Sequence, residues 1–150
     1  MDIQISPDPV ARARELAAEI VAAADEIERT RRIPAALLER LHAARLFRML
    51  LPRSAGGDET EPALYVAAIE ELARHDASIA WNVFVANSSC LIAACLEPAT
   101  NHAIFADPHS IVAWGPPNAS RASAVDGGYR LTGKWDFASR RRDDRRLDAL

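Results

Sequence analysis

Near Ile111 the spacing of apolar residues changes from a period of about 3.6 to a period of 2. Few features constrain a chain more, because side chains on a helix and on a strand meet a core at different intervals. The switch predicts helices first and strands afterwards. The expected fold class is mainly α: about five helices, then the opening strands of an incomplete β-domain. With 150 residues, 49% of them hydrophobic, the chain has enough apolar surface for one core.

The first helix is expected to begin at Pro9, with Asp8 as its N-cap and proline where a missing N–H costs nothing. Leu16, Ile20, Ala23 and Ile27 make one apolar stripe along it. "RTRRIP" interrupts the pattern, and Pro34 opens a second helix whose Leu37, Leu38, Leu41 and Ala44 face inward. Phe47 to Leu51 is a short apolar run. After the loop "LPRSAGGDETEP", Thr60 is expected to cap a third helix carrying Tyr65, Ile69 and Leu72 and ending near His75, with Asp76 or Ser78 capping the next.

"SIAWNVFVANSSCLIAACL" is apolar nearly all round, with scattered polarity from Asn82, Asn87, Ser88 and Ser89. It approaches membrane-spanning length, but those four side chains and the lack of a basic flank favour a central core helix, with Trp81 in the core. Cys90 and Cys95, five apart on one helix, point in different directions and are expected as two buried thiols. "EPATNHAIFAD" reads as a short fifth helix opening at Pro98.

"ASAVDGGYRLTGKWDFAS" reads as a hairpin, two alternating runs joined at Asp126, Gly127 and Gly128. The division expected is a helical domain over 1–108, the start of a β-domain over 109–139, and an aberrant charged tail over 140–150. His42, His75, His102 and His109 are scattered, with none at metal-ligand spacing, so no metal site is expected. His42 is expected to be exposed. The adjacent Glu70 and Glu71 point to different faces and so form no paired-carboxylate site. A net charge of −3 gives no electrostatic reason to recruit nucleic acid or an anionic membrane, and the start of the sequence lacks a secretory pattern. A cytoplasmic protein with a small-molecule partner is the expectation.

The order of elements, with "IPAALLERLHAARLFRMLLP" and "AGG", "EELARHDASIAW", "IVAWGPPNAS" and "DGGYRLTGKWDFAS", resembles the acyl-CoA dehydrogenase superfamily over residues 9 to about 139. Within it the hairpin is similar to the branch holding the two-component flavin-dependent monooxygenases. The resemblance implies a flavin cofactor, FAD with FMN as the alternative, and a homotetramer for intact relatives. It also implies a C-terminal helical bundle that supplies the dehydrogenases' catalytic glutamate, for which this chain has no matching position.

By the same resemblance, the segment Ala113 to Pro117 lies beside the isoalloxazine ring, making Trp114, Gly115 and Pro116 cofactor-binding residues. Gly-Pro-Pro stands where the dehydrogenases carry Thr-Glu-Pro. Trp135, Phe137 and Ser139 in "WDFAS" match a pattern in which an aromatic packs near the ring and a hydroxyl reaches its polar edge. Such types suit a flat ring with apolar faces and one polar edge. Asn87 and Ser89 are the substrate-pocket candidates. Ser89 aligns with a histidine that serves acid–base chemistry in several monooxygenases, a task beyond a hydroxyl near neutral pH.

Family members continue after "FAS" with glycine and further strands, whereas this sequence gives "RRRDDRRLDAL". Arg outnumbers Lys seventeen to one, as a GC-rich coding sequence produces. The expectation is a frameshift or premature stop before the last eleven residues, and a chain that lacks activity by itself; β-domain and bundle sequence in another frame of the downstream DNA would support it. A non-catalytic helical module for interaction or assembly is the alternative function.

Overall fold

The computed structural model describes residues 7–113 and 120–133. The described residues form six helices and one hairpin: α1 Pro9–Glu15, α2 Ala17–Thr30, α3 Ala35–Ala43, α4 Pro62–Ala73, α5 Ala77–Cys90, α6 Pro98–Phe105, β1 Arg121–Val125 and β2 Gly128–Thr132. The expected class, helices followed by a small β element, is the one observed. The chain divides into two units, Met1–Val112 and Ala113–Leu150.

Local chemistry explains the helix starts. Asp8 Oδ1 accepts from the Val10 N–H at 2.9 Å and Pro9 follows it, as the sequence predicts. The single first helix expected is instead α1 and α2, joined at Leu16. There the Leu16 N–H donates to the Ala13 carbonyl, three residues back, a tighter turn than the α-helix makes. Arg31, left-handed at φ 57°, ends α2, and Pro34 precedes α3.

Between α3 and α4 the chain folds back on itself. The Asp58, Glu59 and Thr60 N–H groups donate to the carbonyls of Arg48, Leu51 and Met49. Gly57 lies so near this strip that a Cβ there would stand 1.8 Å from the Leu51 carbonyl oxygen. The fold-back also moves the expected cap of α4. Thr60 is committed through its backbone to Met49, and the neighbouring Glu61 caps instead, its carboxylate accepting from the Leu64 N–H at 3.3 Å.

The main core gathers Leu16, Ile20, Leu41, Leu46, Phe47, Leu72, Ile79 and Val83; a second joins Leu51, Cys90, Ala93 and Phe105. α4 packs between α1 and α5, and α5 lies against the turn Leu46–Arg48. Asp76 caps α5, accepting from the Ile79 N–H at 2.8 Å. The apolar run expected as one helix leaves α-geometry at Cys90 and finishes as a tighter turn over Leu91–Cys95. Cys90 is buried as expected, but Cys95, on that turn, is exposed; the two form no disulfide.

In the second unit β1 pairs antiparallel with β2, Ala122 opposite Leu131 and Ala124 opposite Tyr129. Asp126 and Gly127 form the turn, Gly127 taking φ 79°. Residues 111–113, where the period of 2 begins, are not strand; among the described residues the first strand is β1.

Candidate functional site

Asn87 is fully buried on α5. Its Nδ2 donates to the Leu46 carbonyl at 2.7 Å and to the Val83 carbonyl at 2.8 Å, and its Oδ1 accepts from the Leu50 N–H at 3.0 Å. Both donors are therefore consumed in pinning the Leu46–Leu50 segment to the helix. Beside it, Cys90 points its thiol at the Phe47 carbonyl. Ser89 donates its hydroxyl to the Val85 carbonyl one turn back, at 2.8 Å, as does Ser88 at 2.9 Å. Of the two pocket candidates, Asn87 thus holds the fold together and Ser89 is bonded within its own helix.

The opposite side of α5 is open. Trp81 is 57% exposed, Phe84 39%, and on the turn that follows Leu91 and Ile92 about half. The core position expected for Trp81 is corrected: the ring lies on the surface, stacked on Phe84 with centroids 5.7 Å apart. Phe84 in turn stacks on Tyr65 at 6.2 Å, and the Tyr65 hydroxyl donates to the Phe84 carbonyl. Burial pushes the Tyr65 phenol up to about 12, so it is a fixed donor at neutral pH. By length and composition Ala77–Cys95 also qualifies as a membrane-crossing helix. Both sides of α5 are apolar, and periodicity alone could not reveal which one faces out.

Three arginines lock the loop between α3 and α4. Arg12, 4% exposed, and Arg45 both pair with Asp58, at 2.8 and 2.7 Å. Arg45 also donates to the Gly56 carbonyl. The buried Arg48 donates Nε to the Pro108 carbonyl at 3.1 Å and Nη2 to the carbonyls of Phe105 and Asp107, fixing the chain as it leaves α6. Each arginine pairs with a group distant in sequence and gives no periodic signal, so these anchors escape a reading of the sequence.

Glu71 is buried and Glu70 exposed, so the adjacent carboxylates do face differently. A hydrogen bond from Arg14 holds the Glu71 carboxyl below the usual glutamate range, against the opposing effect of burial. His42 is half-buried rather than exposed, its ring 4.7 Å from Phe47 and 4.8 Å from His109. No group of three metal-ligating side chains occurs among the described residues.

The implied cofactor residues Trp114, Gly115, Pro116, Trp135, Phe137 and Ser139 lie outside the described residues. The hairpin leading to the last three is described, and it is two-faced. Ala122, Ala124, Tyr129 and Leu131 form an apolar side, with Tyr129 74% and Leu131 51% exposed. Arg121, Ser123, Arg130 and Thr132 occupy the other, with Val125 at its turn end. The first side is apolar and largely open to solvent.

Residues 10–103 match the family model described as acyl-CoA dehydrogenase, N-terminal domain. The chain is 34% identical over 117 residues to the oxygenase component of an FADH(2)-dependent resorcinol hydroxylase from Rhizobium sp. (strain MTP-10005), covering 77% of this chain and 29% of that one. It is 32% identical to an indole-3-acetate monooxygenase from Pseudomonas putida, covering 76% and 29%. Among solved structures, XiaF from Streptomyces sp. in complex with FADH2 and glycerol superposes with a TM-score of 0.79 at 30% identity, over 85% of this chain and 32% of XiaF. The chain thus spans about three tenths of the length of these relatives.

Proposed function

This chain belongs to the acyl-CoA dehydrogenase family, whose N-terminal domain it matches, and from that premise we propose that it forms the helical domain of the oxygenase component of a flavin-dependent monooxygenase. The observation that carries the reading is the match to XiaF, which pairs a TM-score of 0.79 with 30% identity in a protein solved with FADH2. The names of the two curated relatives, a hydroxylase and a monooxygenase, favour oxygen insertion over thioester desaturation. The replacement of Thr-Glu-Pro by Gly115, Pro116 and Pro117 points the same way.

A bound reduced flavin supplies the electrons that activate dioxygen. This chain's share is to hold and orient that ring. The exposed side of Tyr129 and Leu131 offers apolar cover, and by the resemblance Trp114, Gly115 and Pro116 contribute backbone groups while Trp135, Phe137 and Ser139 pack and bond at the ring edge. FAD is the favoured form, since FADH2 is named for both the resorcinol hydroxylase and XiaF. The substrate proposed is a small aromatic, by analogy with resorcinol and indole-3-acetate. Ser89 is no base, because a hydroxyl does not take up a proton near neutral pH, and its own hydrogen is directed at the Val85 carbonyl.

Catalysis belongs to the whole protein, because a site open to water does not protect a reactive reduced flavin. Anaerobic titration of the chain with FADH2 and FMNH2, followed by tryptophan fluorescence, tests the binding share. Weak, saturable quenching that Trp135→Leu diminishes is expected, and no saturation with either flavin overturns the reading. Retention of stoichiometric flavin with turnover by the chain alone would overturn the assignment of catalysis to the larger assembly. A role in assembly is the second reading, favoured by the exposed Trp81 and Phe84.

A further inference from the structure

A cleft of about 440 Å³ opens between the turn Arg53–Ala55, the turn Leu91–Cys95 and α6, on the side of the first unit where Arg48 is anchored. We propose that it binds a small carboxylic acid that also carries an O–H donor on an apolar body.

Arg48 lines the cleft with its guanidinium already immobilised, Nε and Nη2 being spent on the carbonyls of Phe105, Asp107 and Pro108. The remaining nitrogen, Nη1, borders Gly56, 3.4 Å from where a Cβ would stand on that glycine. No carboxylate occurs among the residues lining the cleft, which also include His102. A fixed cation in a cleft whose lining holds no acid favours an anion, and the remaining Nη1 can donate to one oxygen of a carboxylate.

The second polar feature is Asn101, only 9% exposed. Its Nδ2 donates to the Ala93 carbonyl at 3.1 Å, which leaves Oδ1 buried with no hydrogen-bond partner. A buried acceptor without a donor is costly, and a donor seated in the cleft would satisfy it. Ala93, Leu96 and Phe105 supply the apolar wall. Together these select a molecule with a negative end, one donor and a hydrocarbon body, the chemistry of a hydroxy acid.

Mandelate is the probe, titrated into the full chain by calorimetry. Saturable binding is expected, weakened about ten-fold or more with phenylacetate, which lacks the hydroxyl, and with mandelamide, which lacks the charge. Substitution of Arg48 risks the fold, so the variant is Ala94→Glu, an exposed position on the cleft wall. It should weaken mandelate by a similar factor while the circular dichroism spectrum stays unchanged. Failure of mandelate to saturate, equal binding of mandelamide or phenylacetate, or unaltered affinity in Ala94→Glu would each overturn the proposal.

Discussion

Arg48 donates from Nη2 to the Phe105 carbonyl at 3.0 Å, joining positions 57 residues apart in sequence. The same guanidinium reaches the carbonyls of Asp107 and Pro108, so one buried cation collects the carbonyls at the end of α6. Replacing it with methionine keeps much of the volume and leaves those carbonyls without a donor. Arg48→Met should lose about 3 kcal/mol of unfolding free energy, and Arg48→Lys about half as much, because an ammonium cannot reproduce the fork. Urea denaturation of both variants checks the ranking; equal losses would contradict the geometric argument.

Asn87 predicts a second ranking. Asn87→Leu removes the bonds to Leu46, Leu50 and Val83 and strands backbone groups in the core, at a cost of about 2 to 4 kcal/mol. Asn87→Asp keeps the shape but turns an oxygen toward two carbonyls, and should be at least as damaging at neutral pH. Thermal unfolding followed by circular dichroism measures both. A neutral Asn87→Asp would mean that the amide is not oriented as described.

How much of this was readable in advance follows from how local each feature is. Asp8 with Pro9, Pro98, and Asp126 with Gly127 act within a few residues, and each stands where the sequence places it. Thr60 failed as a cap because a distant partner, Met49, claims its backbone. Trp81 was misplaced because a helix apolar on both sides gives periodicity nothing to distinguish; only packing against α4 and the Leu46–Arg48 turn decides which side is buried. The bonds of Asn87 to Leu46 and Leu50 span 41 and 37 residues, beyond any local pattern. For the site, the hairpin that leads toward Trp135 was legible from its alternation, whereas the roles of Trp114 to Pro116 rest on the resemblance.

Two glycines should respond differently to alanine. Gly57→Ala would drive a methyl group to 1.8 Å from the Leu51 carbonyl oxygen, so the fold-back after Arg48 must open. A loss above about 3 kcal/mol is expected, of the size seen when backbone packing is broken. Gly127 has open space around it, and its positive φ is the sole obstacle, so Gly127→Ala should cost about 1 kcal/mol of local hairpin stability. Hydrogen exchange separates the two, with the first deprotecting the main core and the second only β1 and β2.

The exposed apolar residues of α5 and the turn after it should govern self-association more than stability. Trp81, Leu91 and Ile92 are each about half exposed, so Trp81→Gln, Leu91→Gln and Ile92→Gln should each change unfolding free energy by less than about 1 kcal/mol. The triple variant removes a hydrophobic patch, and sedimentation velocity should show less oligomer at matched concentration. A triple variant that associates as strongly as the parent would place the contact elsewhere.

Glu71 sets an acid limit. Arg14 donates to its carboxylate at 3.3 and 3.4 Å, with Arg74 and His75 nearby, and these hold its titration below the ordinary range. Because the folded value is depressed, the stabilisation is present above the unfolded glutamate value of about 4.3 and is lost as pH falls through the folded one. Glu71→Gln should therefore be less stable than the parent at neutral pH, with the two curves converging as the medium is acidified. Glu70→Gln, at the exposed neighbouring carboxylate, is the control and should follow the parent. Denaturant midpoints across the acid range decide it: a Glu71→Gln deficit that stayed constant with pH would show that the loss comes from packing and not from the charge held by Arg14.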